Sequence, residues 1–70
     1  MASKLNAYVA IDIAPDGHTL QDVFLAPHDT AAARRAQFAA EGVALQLWRD
    51  DRLIGAWRRV GARSFAPEPI

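Results

Sequence analysis

Cysteine is absent from this chain of 70 residues, which excludes disulfide staples and any zinc site built on thiolates. A domain of ~60 residues buries only about 60% of the surface its unfolded chain exposes, so its stability is marginal without some additional constraint. With staples gone, association with another chain is the remaining route. No apolar run approaches the ~20 residues that cross a bilayer. The opening residues Met1 to Asn6 hold a single lysine and no hydrophobic stretch, so no secretory signal is read there and a cytoplasmic location is the expectation. Neither sign of charge dominates, with eight basic residues against eight acidic ones. Nucleic-acid-binding domains commonly carry a strong basic balance instead.

What is present is apolar patterning, with 51% hydrophobic residues, the level of a globular protein. Leu5, Ala7, Val9, Ile11 and Ile13 recur at every second position, the period of a half-buried strand. Ala14-Pro15-Asp16-Gly17 presets a turn, since Pro fixes φ and Gly accepts a positive one, and a second strand is expected from Thr19 to Leu25. Pro27 ends it. Asp29 or Thr30 can cap a helix that continues to Ala40 or Glu41, with Gly42 where a left-handed C-terminal cap belongs. Thr30, Arg34, Gln37 and Glu41 form its polar stripe, opposite an arc of Ala32, Ala36 and Ala39 flanked by Ala31 and Phe38. Val43 to Arg49 and Arg52 to Val60 read as two further strands joined at Asp50-Asp51.

The expected fold is therefore α+β: ββαββ, one helix on a four-stranded, mainly antiparallel sheet, in the order 2-1-3-4 if the crossover places strand three beside strand one. Residues 1–63 make a single domain. Residues 64–70, which contain Pro67 and Pro69, make an extended tail.

Hairpin turns set register. The first pairs Val9 with Val23, Ala7 with Leu25 and Tyr8 with Phe24. A two-residue loop at Asp50-Asp51 pairs Trp48 with Leu53, Leu47 with Ile54, Leu45 with Ala56, Val43 with Arg58 and Ala44 with Trp57. One helix covers one side of a sheet, and the aliphatic side of Val9, Ile11, Val23, Leu25, Leu45, Leu47 and Ile54 is its natural floor. That assignment leaves Tyr8, Leu20, Phe24, Trp48, Leu53 and Trp57 as an uncovered face, larger than soluble monomers usually expose. The returning tail, a second copy or another macromolecular ligand are the candidates to cover it, and a homodimer is the expectation. Edge pairing through strand four is a variant of that reading.

Arg49, Arg52, Arg58, Arg59 and Arg63 interleave with Trp48 and Trp57, a composition that suits stacking of single-stranded nucleic acid. Arg49, Arg58 and Arg59 are the candidate contacts for an anionic ligand. Residues 34–63 hold seven Arg against Glu41, Asp50 and Asp51, whereas the first 33 residues hold Lys4 against Asp12, Asp16, Asp22 and Asp29. Pairing of these opposite charges within or between chains is the favoured explanation.

The chemistry-bearing residues are few. His28 adjoins Asp29, but neighbours in sequence seldom face each other, and a cap explains the aspartate. Ser3, Thr19, Thr30 and Ser64 lack a recognisable activating base, and Asp12, Asp16 and Asp22 lack the spacing of a calcium loop. Gly17, Gly42, Gly55 and Gly61 are too scattered to cradle phosphate. No catalytic residue, metal or cofactor is expected, and the reading is a non-enzymatic protein-interaction domain.

Ala31 to Gly61, a helix ending in Ala-Ala-Glu-Gly and followed by a strand, a tight turn and Arg-Val-Gly, resembles the first half of the sporulation-related-repeat, peptidoglycan-binding domains. The resemblance covers under half the chain. That family's second helix and last strand have no counterpart, an extra hairpin precedes the helix, and the family is not assigned.

Overall fold

A computed structural model describes residues 4–69. The elements are β1 (Asn6–Ile13), β2 (Thr19–Ala26), α1 (Asp29–Ala39), β3 (Ala44–Arg49), β4 (Arg52–Gly61) and β5 (Ser64–Pro67). The strands form one antiparallel sheet in the order β2-β1-β3-β4-β5, with α1 packed on one side. The α+β arrangement and the 2-1-3-4 order hold, but the sheet has five strands rather than four. Residues 64–67, read from the sequence as part of a tail, are extended and pair with β4, placing Arg59 opposite Phe65 and Trp57 opposite Pro67. Proline is tolerated there because β5 is an edge strand.

The first hairpin follows its turn chemistry. Gly17 takes φ 92°, its N–H donates to the Ala14 carbonyl at 2.9 Å, and the Ala14 N–H donates to His18 O at 2.8 Å. This bulged turn sets an unbroken register in which Val9 meets Val23 and Tyr8 meets Phe24. In the second hairpin Asp50 adopts φ 54°, a left-handed conformation that Asp tolerates better than most residues. Arg49 and Trp48 oppose Arg52 and Leu53, after which the register shifts so that Leu47 opposes Gly55, Leu45 opposes Trp57 and Ala44 opposes Arg58. Ile54 is the extra residue of a β-bulge. The expected pairs of Leu47 with Ile54, Leu45 with Ala56, Val43 with Arg58 and Ala44 with Trp57 are thereby replaced, because one inserted residue reverses the faces of everything beyond it.

The core inverts part of the expected layering. Tyr8, Ala10, Phe24, Ala26, Leu45 and Leu47 are buried together with Ala32 and Ala36 of α1, so the helix covers the aromatic pair of the first hairpin instead of Val9 and Val23. The cause is the β1–β3 register, which places Ala10 opposite Leu47 and Val9 opposite Trp48. Directly opposed residues share a face, so Leu47 joins Tyr8 and Trp48 joins Val9. Aromatic side chains bury more area than valines. The alanines at positions 10, 26, 32 and 36 supply the space, and Tyr8 and Phe24 stack with ring centroids 5.9 Å apart. On α1, Ala32 and Ala36 face the sheet as expected, whereas Phe38, placed by the wheel beside the apolar arc, is 95% exposed.

The helix ends also differ from expectation. His28, rather than Asp29 or Thr30, is the N-cap, and its Nδ1 accepts from the Ala31 N–H at 3.1 Å. At the other end Ala40 is the C-cap, in an extended conformation. Gly42 lacks the left-handed φ expected of a glycine cap, since Gly17 is the glycine with positive φ among the described residues. Its place is set by proximity: the Asp12 carboxylate accepts from the N–H groups of Glu41 (2.9 Å) and Gly42 (2.8 Å), and the Val43 N–H donates to Ile13 O at 2.8 Å.

Candidate interaction surface

Alternation along each strand sends Val9 and Ile11 of β1 away from the helix, beside Val23 and Leu25 of β2 and Trp48 of β3. Leu53 of β4 lies opposite Trp48 and extends the same surface. Val23 and Leu25 are 68% and 58% exposed, and Val9, Ile11, Trp48 and Leu53 are half-buried by their sheet neighbours alone. The indole N–H of Trp48 donates to Gln46 Oε1 at 3.1 Å, which holds the ring along the sheet. The result is an apolar surface with few charges, bordered by Arg58 opposite Ala44.

The six residues assigned to an open face therefore divide. Trp48 and Leu53 lie on it, while Tyr8 and Phe24 are core. Trp57 packs half-buried against that core on the helix side, as does Phe65. Leu20 also belongs to the helix side, opposite Asp12, where it lines a shallow cleft with Ala36 and Ala39 of α1 and stays exposed. The open surface persists with a different composition, mainly aliphatic around Trp48 where a mainly aromatic one was expected.

The candidate anion contacts divide as well. Arg49 Nη2 donates to Asn6 Oδ1 at 3.0 Å and Nη1 lies 3.9 Å from Asp29. Arg59 is engaged by the backbone, donating to Gly42 O (2.7 Å), Ala62 O (2.7 Å) and Ala40 O (2.9 Å) while its guanidinium sits 4.5 Å over the Phe65 ring. Arg58 is exposed on the open face with Trp48, and Arg59 lies on the opposite face with Trp57. No single stacking platform joins both tryptophans to these guanidinium groups.

Two of the titratable groups are engaged in side-chain hydrogen bonds that shift them. His18 Nδ1 lies 2.7 Å from Asp16 Oδ2, and the same carboxylate accepts the His18 backbone N–H. Those bonds hold the Asp16 carboxyl below the usual carboxylate range, the backbone donor being the larger cause. Tyr8 donates its hydroxyl to Asp29 Oδ1 at 2.7 Å. Burial first, and then this bond to a carboxylate, push its pKa above the ordinary tyrosine value. Sequence reasoning missed this contact, since the partners lie 21 positions apart and nothing local announces it. Among the described residues no three carboxylates, histidines or cysteines gather to hold a metal ion, and no helix is long and apolar enough to cross a membrane.

One groove of about 630 Å³ lies between the end of α1 and the β4–β5 turn, lined by Phe38, Glu41, Arg59, Arg63 and Phe65 among others. Of the two arginines that line it, Arg59 is already held by carbonyl groups. No family model matches the chain, and neither a curated protein nor a solved structure matches it.

Proposed function

We propose that this chain is a non-enzymatic protein-interaction domain that works as a homodimer, joined through the side of its sheet that the helix leaves bare or through an edge strand that borders it. The observation that carries the reading is the continuous patch of Val9, Ile11, Val23, Leu25, Trp48 and Leu53. Solvent-exposed apolar patches of this kind mark interaction sites, and a small domain without staples gains stability from association. The fifth strand strengthens the argument. It extends the sheet sideways and turns Phe65 toward the helix side, so residues 64–67 do not lie across the open face as a cover.

The test is the absolute mass in solution, by light scattering on a sizing column over a range of concentrations. The expected result is a species near twice 7.7 kDa. Val23→Asp, at an exposed strand position, is expected to give a folded monomer by far-UV circular dichroism. A wild-type chain that stays monomeric across the range overturns the proposal.

A further inference from the structure

The two edges of the sheet are built differently. β5 has four residues, ends at Pro67, and pairs through a register shift, features that blunt an edge. β2 has eight residues, Thr-Leu-Gln-Asp-Val-Phe-Leu-Ala, in unbroken register with β1. It contains no proline, glycine, lysine or arginine, and among the described residues no strand pairs with its outer edge.

The bond from Ala14 N–H to His18 O fixes which groups face outward. Antiparallel pairs alternate between bonded and non-bonded, so Leu20, Asp22, Phe24 and Ala26 bond to β1. Thr19, Gln21, Val23 and Leu25 direct their N–H and C=O groups to the free edge. The bond from Val43 N–H to Ile13 O obeys the same alternation on the other side of β1.

Resting on the homodimer reading, we infer that two copies join along β2, antiparallel about a two-fold axis at Val23. In that register Val23 faces Val23 of the second copy and Gln21 faces its Leu25, each pair exchanging both backbone bonds. Neighbouring registers are poorer. Centring on Asp22 opposes two like charges, and centring on Phe24 shortens the ladder by bringing Gln21 opposite Pro27, which has no N–H to give, whereas the Val23 register meets Pro27 only at Thr19, the first residue of the strand.

Charge selects a second copy as the occupant. The Val23 register sets Asp22 of one copy directly across from Phe24 of the other, on the helix side of the sheet. Arg35 already sits there, its guanidinium 4.7 Å from the Phe24 ring centroid. Among the described residues neither Arg35 nor Asp22 makes an ion pair within its own chain. The two-fold axis therefore brings together two exposed opposite charges, twice, on the rim of the seam. It also joins the two open faces into one surface, with Val23 and Leu25 at its centre.

The experiment is a charge-reversal cycle on the full chain, read as the dimer dissociation constant by sedimentation at moderate salt. Asp22→Arg and Arg35→Asp are each expected to raise that constant about tenfold, and the double variant to recover most of the loss. Both positions are exposed, and circular dichroism checks that each variant is folded. Amide exchange is the second measurement: the Val23 N–H is expected to be protected in the dimer and to exchange freely on dilution to monomer. Ile11→Gln, at the middle of the open face, is expected to leave the dimer unchanged. If the chain dimerises but the double reversal restores nothing, or Val23 N–H is unprotected, or Ile11→Gln dissociates it, the β2 seam is overturned while the homodimer reading stands. A wild-type monomer overturns both.

Discussion

The indole of Trp57 lies across the backbone of Gly55, where an added Cβ would come within 2.6 Å of the ring. Both residues face the helix side, because the bulge at Ile54 has moved them there. The glycine leaves a gap in the sheet and the tryptophan two positions on fills it, a device that covers strand glycines with aromatic rings. Gly55→Ala is expected to displace the indole and cost about 1–3 kcal/mol, the usual penalty for overpacking. Thermal unfolding measures the loss, and tryptophan emission should move to longer wavelength. An alanine variant with unchanged melting and emission would show that the ring has room to move.

Gly42 is constrained more tightly, because a Cβ there would collide with the carbonyl of Ile13 and approach the Asp12 carboxylate within 2.5 Å. These are the groups that fasten the end of α1 to β1. Gly42→Ala is expected to cost about 3 kcal/mol, since a backbone carbonyl in a central strand cannot yield as a side chain can. Asp12→Asn, which keeps the shape and halves the acceptor capacity, should cost less. Urea midpoints of the two variants check the order, and equal effects would mean that the carboxylate rather than the close approach is what matters.

Tyr8 gives the fold an alkaline limit. Its hydroxyl is buried and donates to Asp29, so the folded chain holds that proton more tightly than the unfolded chain, whose tyrosine loses it near pH ~10. A raised pKa in the folded state means that the stabilising contribution is complete below the unfolded value and declines as pH rises through it. Stability is therefore expected to fall above about pH 10. Tyr8→Phe should lower the urea midpoint at neutral pH and flatten that alkaline decline. If the pH profiles of the two proteins run parallel, the decline belongs to other groups.

Arg59 ties the end of α1 and the loop that follows it, through Ala40 O and Gly42 O, to the β4–β5 turn through Ala62 O. Hydrogen bonds from a charged donor contribute about 1.5–3 kcal/mol each when truncation leaves the acceptors unpaired. Some of these carbonyls can turn to water, so Arg59→Ala is expected to cost about 2–3 kcal/mol in total. Arg59→Lys should recover little, since an ammonium cannot present a planar fork to several acceptors. A lysine variant as stable as wild type in urea would refute the role given to the guanidinium.

The strands, the helix and both turns were legible because their causes are local. Alternation from Leu5 to Ile13 needs only neighbouring residues to specify a strand, and Pro15-Asp16-Gly17 needs only itself to specify the turn that pairs Val9 with Val23. The α+β class and the order of the first four strands follow from those elements and from the length of the helical crossover. The small helix face of Ala32 and Ala36 was likewise visible in its period.

What the sequence could not determine was the side of the first hairpin that faces the helix. That depends on Val9 meeting Trp48 and Ala10 meeting Leu47 across a connection of more than thirty residues, where no turn dictates register and a shift of one residue exchanges the two faces. The tertiary structure resolves it by burying the aromatic side chains of the hairpin, Tyr8 and Phe24, in space left by alanines on helix and sheet. The bulge at Ile54 does the same for Trp57. The sequence by itself required one apolar surface more than a single helix can cover, and only the assembled sheet decided that this surface is made by Val9, Ile11, Val23, Leu25, Trp48 and Leu53, because local pattern fixes alternation and long-range packing fixes its phase.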